Sequence, residues 1–484
     1  MLNTYKVLTV AIALSLLPAC GGGGGSTDKT EQSVAGGYWV ETVNSKVWEY
    51  TSTELMPSYT YAGITYPSGP MQFFPQASIA YDFWQSGEAG ILIALNKGYA
   101  SGVDTRMPPI FFRTTDGNFS DGTGDIISGV VPIPGLRRTV IIDDGAGKFQ
   151  GVFGVAHDTG DRHSADAVLF RAGVRPSNVT STLPVLPLAQ SVPSLGRPNA
   201  VDAHSMAAGD LNRDGLTDII VGEWRDRGGA FMLIQKQASV WEVKQDEFLK
   251  SIVFDWGLTN PLEGRFNLLL DLHLADVNND GAADLIAGWG HGSSPSYVFL
   301  NNGNGKFSQE NKKALPLSVY GIDNTLHMKT ISRDINRDGN IDLLVISSRF
   351  VDYYAGYAIQ VLIGNGRGDF VDETSTRLKS LPGRDRINMR HLQWSDSFYL
   401  LDVNDDQHLD IVGSDMDGAR AWINNKAGIF TEVSIANASR IKGNSIYAPK
   451  KGGGVTALTM RSISSSNPIQ TTVWFSQEDL VMRQ

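Results

Sequence analysis

The chain has 484 residues, 42% hydrophobic and 19% charged, with 52 Gly, 20 Pro and one Cys. This is ample for a buried core or a repeat-built domain, and far from the composition of low-complexity disorder. The lone Cys excludes a disulfide framework and any cysteine-built zinc or iron–sulfur site, and a formal charge of −10 argues against a general nucleic-acid binder.

Lys6 and the apolar run from Val7 to Leu17 read as the n-region and h-region of a secretion signal, too short to span a bilayer. The run leads into Leu17-Pro18-Ala19-Cys20, which resembles the bacterial lipoprotein box, a small residue before a Cys that is lipidated. The expectation is a signal peptide over 1–19, a lipid-anchored Cys20 and a Gly-rich tether to residue 33. That tether cannot bury anything. The protein is thus expected at the bacterial cell envelope, on the outer membrane or cell surface, with its folded part over 34–484. No later stretch approaches ~18 uninterrupted apolar residues.

Two β-prone runs follow, 38–43 and 47–51, and from residue 82 the chain repeats itself. Four segments share the pattern D-x-N-x-D-[G/Q]-x-x-D: 210–218 (DLNRDGLTD), 276–284 (DVNNDGAAD), 334–342 (DINRDGNID) and 402–410 (DVNDDQHLD). Each hands over to a short β-prone run, so the second helix of an EF-hand is missing. Two worn copies precede them in register, 82–90 (DFWQSGEAG) and 143–151 (DDGAGKFQG). About twenty residues after each acidic loop comes an apolar strand, a Gly-rich turn and an aromatic, as in 298–307 (VFLNNGNGKF), 361–370 (VLIGNGRGDF) and 421–430 (AWINNKAGIF), with a worn copy at 232–241. Glycine there supplies the positive φ of a tight hairpin. Each unit then reads as four antiparallel strands, one propeller blade.

The loop starts recur every ~64 residues, which predicts seven blades over 34–484. The seventh loop is expected near residue 466, with 38–43 and 47–51 completing that blade and closing the ring. These loops and their spacing resemble the FG-GAP or VCBS repeats of bacterial surface proteins and, more distantly, the integrin α-chain propeller. The resemblance is specific over 204–432. It implies an all-β fold, a seven-bladed propeller with calcium in the loops joining first to second strands.

The chemistry of the loops agrees. Calcium takes six to eight oxygen ligands, and positions 1, 3, 5 and 9 of a tight loop converge with the carbonyl of position 7. The candidate ligands are Asp210, Asn212, Asp214, Leu216 and Asp218; Asp276, Asn278, Asp280, Ala282 and Asp284; Asp334, Asn336, Asp338, Asn340 and Asp342; and Asp402, Asn404, Asp406, His408 and Asp410. Three to four ions are expected. Position 6 is Gly215, Gly281 and Gly339 in three loops, but Gln407 in the last, where a left-handed backbone costs ~1 kcal/mol and the site is expected to be weakest. From Cys20 onward the formal charge is −11, and without the twelve Asp at positions 1, 5 and 9 it would be +1. The acidity is concentrated in these loops and hints at no basic partner.

Arg367-Gly368-Asp369 is the tripeptide that integrins bind, but it occupies a hairpin turn, and turn chemistry accounts for it. His204, His273, His327 and His391 precede their loops by unequal offsets, which argues against one equivalent ring of imidazoles. No nucleophile elbow, phosphate loop or dinucleotide fingerprint is present. The sequence therefore favours a membrane-tethered, calcium-binding propeller that binds an extracellular glycan or protein without catalysis. A polysaccharide lyase or hydrolase working at the channel mouth is the alternative, and a purely structural module the third reading. Long connections between blades would bring His204, His327, Arg390, His391 and Trp394 to the face opposite the acidic loops, where a ligand is expected.

Overall fold

The computed structural model describes residues 37–61, 64–97, 107, 109–126, 136–143, 149–155, 166–171, 185–187, 203–223, 230–237, 240–244, 249, 268–290, 295–351, 353–381, 387–391, 394–450 and 453–482. Cys20, its signal and its tether lie outside them. Strands dominate, and the helices Thr123–Ile126 and Thr374–Arg377 are one turn each.

Among the described residues, seven four-stranded antiparallel meanders follow one another, the fourth and fifth continuous through the pairing of Gly290 with Leu326. The first is Phe73–Tyr81, Gly90–Lys97, Ile110–Thr115 and Asn118–Asp121, and the second Leu136–Asp143, Phe149–Val155, Asp166–Arg171 and Val185–Pro187. The third is Ala203–Gly209, Asp218–Glu223, Ala230–Gln237 and Val240–Lys244, and the fourth Leu268–Ala275, Asp284–Gly290, Tyr297–Phe299 and Lys312–Ala314. The fifth is Thr325–Arg333, Asp342–Val351, Tyr353–Gly364 and Phe370–Asp372, and the sixth Phe398–Leu401, Asp410–Ser414, Ala419–Asn424 and Phe430–Glu432. The seventh runs Ile446–Pro449, Val455–Ser466 and Ile469–Met482, and its fourth strand is Tyr38–Ser52 from the other end of the chain.

The second strands are apolar without alternation because both of their faces are covered. In the third sheet Ile219 and Val221 pack with Ile142 of the second, while Ile220 between them packs with Leu272, Leu285 and Ala287 of the fourth. The fourth sheet turns Leu285 and Ala287 to the third and Ile286 to Leu343 and Val345 of the fifth. Shared cores continue from fifth to sixth through Ile359 and Trp422, from sixth to seventh through Val412 and Tyr447, and from seventh to first through Phe475 and Phe112. The first and second sheets are joined by their first strands, Thr139 Oγ1 donating to the Ser78 carbonyl at 3.3 Å.

Two expectations about loops are corrected. The second sheet pairs Asp143 with Phe149, so its connection is the five residues 144–148 rather than a nine-residue copy starting at Asp143. In the seventh sheet Pro449 pairs with Val455, which puts the first connection at 450–454, not near 466. The run from Ser464 to Pro468 instead forms the end of the second strand, through Ser466, and the two-residue turn Asn467-Pro468 to the third. A mean period misplaces this loop because the seventh sheet spends its length on a long hairpin, and a Gly-rich turn needs no acidic residues. The N-terminal runs also form one continuous strand instead of two, since Ile446–Pro449 already supplies the innermost one.

Tyr38 and Val40 are buried with Tyr447, Ala457 and Leu480, and without their strand Ile469–Met482 would become an open edge. A chain beginning at Thr53 is therefore expected to lose its cooperative thermal transition and to aggregate, as read by circular dichroism and light scattering. An unchanged melt would show that this strand is not needed for closure.

Candidate metal centres

The four acidic loops join first to second strands in the third, fourth, fifth and sixth sheets and repeat one hydrogen-bond pattern. At position 1, Asp210, Asp276, Asp334 and Asp402 each accept the N–H groups of positions 5 and 6, those of position 6 at 2.9, 2.8, 2.9 and 2.7 Å. At position 3 the Oδ1 of Asn212, Asn278, Asn336 and Asn404 accepts the same position-5 N–H, at 3.0 to 3.2 Å. Two side-chain oxygens thus converge on one N–H in every loop. Position 5 in turn accepts the N–H of Leu216, Ala282, Asn340 or His408 at 2.8 to 2.9 Å.

Position 9 works differently. Asp218, Asp284, Asp342 and Asp410 are fully buried, and each uses both oxygens on backbone. One accepts the N–H of position 2 (Leu211, Val277, Ile335 or Val403) at 2.9 to 3.1 Å. The other accepts an N–H at the end of the third strand (Gln235, Asn301, Gly364 or Asn424) at 2.7 to 2.9 Å. Burial pushes Asp218 and Asp410 up to about 6 and Asp284 up to about 7, their N–H partners opposing and the carboxylates at positions 1 and 5 reinforcing the shift; Asp342 is raised for the same main reason.

The backbone bends twice within each loop. Position 6 is left-handed, with φ of 81° to 88° at Gly215, Gly281 and Gly339 and 66° at Gln407, so the strain expected at Gln407 is present. Position 4, which the motif leaves unspecified, is left-handed too: Arg213, Asn279, Arg337 and Asp405 have φ of 58° to 62°. These side chains reach the next loop. Arg213 Nη2 donates to Asp280 Oδ1 at 2.8 Å, Asn279 Nδ2 to Asn340 Oδ1 at 3.0 Å, and Arg337 Nη2 to the Gln407 carbonyl at 2.6 Å. Sequence reasoning missed position 4. The clue was four polar residues at a position with no ligand role.

Among the described residues, no three His, Cys, Asp or Glu side chains already form a metal cluster. The donor set that each loop offers is nevertheless all oxygen: two or three carboxylates, an Asn amide oxygen and the carbonyl of position 7. That set fits a hard divalent cation such as calcium and suits a soft transition metal poorly. His408 does not alter this, since its Nδ1 lies 2.9 Å from the Asp406 carbonyl.

The expected ligand residues are dispersed. His204 lies on Ala203–Gly209, and Arg390 and His391 on Ile387–His391, which pairs with Tyr353–Gly364; their side chains are outside the described residues. Trp394 packs edge-on against Tyr354 beside Leu270, Leu326 and Met328. His327 is 3% exposed, with Nδ1 2.9 Å from Ser296 Oγ and Nε2 2.7 Å from Thr330 Oγ1. It fits because Gly288 lies under its ring, where a Cβ would approach to 2.6 Å. Burial lowers His327 to about 3 and His273, 2.7 Å from Ser332, to about 4. Both imidazoles are neutral at physiological pH and tie strands together. Asp271, which no motif marked, lies 3.7 Å from His327 and is raised to about 6 by burial.

These observations define an all-β protein of repeated four-stranded sheets, four of which have an acidic loop between their first and second strands. Residues 276–345, from the Asp276 loop to the second strand of the fifth sheet, match the FG-GAP-like repeat family. No curated protein matches it in sequence. Distant structural likeness is found to an Agrocybe aegerita lectin described as recognising non-reducing terminal N-acetylglucosamine (15% identity, 86% of this chain and 90% of the other covered, TM-score 0.43). Others are rhamnogalacturonan lyase PL11 of Bacillus licheniformis (11%, 85% and 72%, 0.37) and the six-bladed fucose-recognising lectin of Aleuria aurantia (10%, 76% and 96%, 0.37). Likeness this distant says nothing of what this chain binds.

The raised position-9 carboxyls give a pH test. A carboxyl whose folded value exceeds its unfolded 3.8 contributes stability below that value and loses it as pH rises through 6 to 7. With a chelator present, the melting temperature is expected to be higher at about pH 5 than at about pH 8. Millimolar calcium should reverse the order, because ionised carboxylates bind it. A melting temperature that rises with pH in chelator would refute this electrostatic account.

Proposed function

We propose that the seven meanders close as a seven-bladed β-propeller that carries three to four calcium ions in its acidic loops. In this reading the protein is exported, tethered at the cell envelope through lipid on Cys20, and binds an extracellular glycan or protein without chemistry. The cores shared between successive sheets, with the seventh returning to the first, support the ring. The observation that carries the functional reading is the identical geometry of four all-oxygen loops, cross-linked into one stiff face. Calcium there would neutralise buried carboxylates and lock the first strands. A face so committed to holding the fold leaves the opposite end, where the connections between sheets arrive, for recognition.

Chelation is expected to lower the melting temperature markedly, since an ion bound only by the folded state stabilises it by mass action. Asp214→Ala and Asp280→Ala should each remove one site from a calorimetric titration; no calcium binding at millimolar concentration would end this reading. Cys20→Ser should move the protein from membranes to the soluble fraction with an unchanged melt, and continued membrane association would refute the anchor. A glycan array probed in calcium tests recognition, and depolymerisation of a bound polysaccharide would replace binding with catalysis.

A further inference from the structure

In the Asp276 loop a cation from the neighbouring loop is hydrogen-bonded to a candidate ligand oxygen. Arg213, at position 4 of the Asp210 loop, donates from Nη2 to Oδ1 of Asp280 at 2.8 Å. Asp280 is position 5 of the next loop, and its Oδ1 also accepts the Ala282 N–H. The guanidinium is seated rather than merely nearby: it lies over Gly303, where a Cβ would come within 2.9 Å of Nη1, and beside Gly281. Its origin is fixed as well, because Arg213 holds a left-handed backbone with φ of 62°. The corresponding Arg337 has the same φ yet donates to a carbonyl, that of Gln407, and so places no hydrogen bond on a carboxylate. The nearest analogue, Lys426, is 3.8 Å from Asp406 and largely exposed.

We propose that Arg213 is a built-in counter-ion of the Asp276 loop that sets its calcium affinity below that of its neighbours. The inference rests on the loops being calcium sites. Affinity of such a loop follows the charge of its ligands. Asp276, Asp280 and Asp284 offer three negative charges, and the paired guanidinium offsets one of them. An incoming divalent ion must displace Arg213 or tolerate its repulsion. Because the guanidinium belongs to the Asp210 loop, the two loops are also linked: what either binds alters the cost at the other, by equal factors in both directions. The pair is exposed, so the effect is that of a surface ion pair, up to about fivefold in affinity.

The test is calcium titration calorimetry on the full chain. Arg213→Ala and Arg213→Gln are expected to tighten one site by about two- to fivefold at low salt, with a smaller gain at high salt. Arg213→Lys should stay near wild type, and Arg337→Ala should tighten no site. Arg213→Gln keeps a hydrogen-bond donor and separates charge from packing, and thermal melts confirm that each variant folds. If the wild type binds calcium but neither neutral variant tightens any site, the counter-ion role is overturned while the calcium loops stand. If the wild type binds no calcium, the underlying reading of the loops fails and this one with it.

Discussion

The buried carboxylate at position 9 is the constraint on which each acidic unit depends. It stands at the first residue of the second strand, reaches back to the N–H of position 2 and across to an N–H at the end of the third strand, and thereby holds three segments in one register. A charged group without water must have such partners, because an unpaired buried carboxylate costs several kcal/mol. The first sheet meets the same need differently. It has Gly90 at position 9, and Glu88 two residues earlier accepts the N–H groups of Asp116 and Gly117 at 2.9 Å in the next hairpin. Asp82 meanwhile accepts from Ser86 and Gly87, as the other position-1 residues do. The turn is therefore a property of the backbone and its carboxylate acceptors, and a worn loop keeps it after losing most of its acidic residues.

That persistence separates two roles that the motif merges. The hydrogen bonds of positions 1 and 9 shape the loop, whereas the carboxylates of positions 1 and 5 crowd negative charge into it. Burial and crowding both raise the position-9 carboxyls, a strain that hydrogen bonding only partly offsets. The second and seventh sheets avoid it by shortening the connection to five residues. The long acidic form thus carries an electrostatic penalty at position 9 that the short form does not.

Much of this was legible in the sequence. Four repeats of a nine-residue pattern gave the unit, and the apolar runs after them marked strands covered on both sides, as Ile219, Ile220 and Val221 show. The seventh sheet was misread because its first connection carries neither motif nor typical spacing, so only strand pairing reveals Ile446–Pro449 as its first strand. The histidines were harder still. Nothing local tells that His327 rests on Gly288 and bonds Ser296 and Thr330, since two of these contacts come from the neighbouring sheet. Position 4 escaped for the same reason: its backbone conformation is local, but its purpose lies in the next loop.

The hairpins between third and fourth strands complete the acidic face. Asn301 Nδ2 donates to the Leu211 carbonyl at 2.8 Å, and the Gly368 N–H donates to that of Val277 at 3.1 Å. Each is a hairpin resting on position 2 of the preceding loop, and Gly428 lies against Ile335 and Asn336 in the same way. The Arg367-Gly368-Asp369 turn is part of this fabric, with Lys313 bonded to both the Arg367 carbonyl and the Asp369 carboxylate. Loops, hairpins and position-4 bridges together leave few groups on this face uncommitted, so a change there is felt first as a change in how two sheets dock.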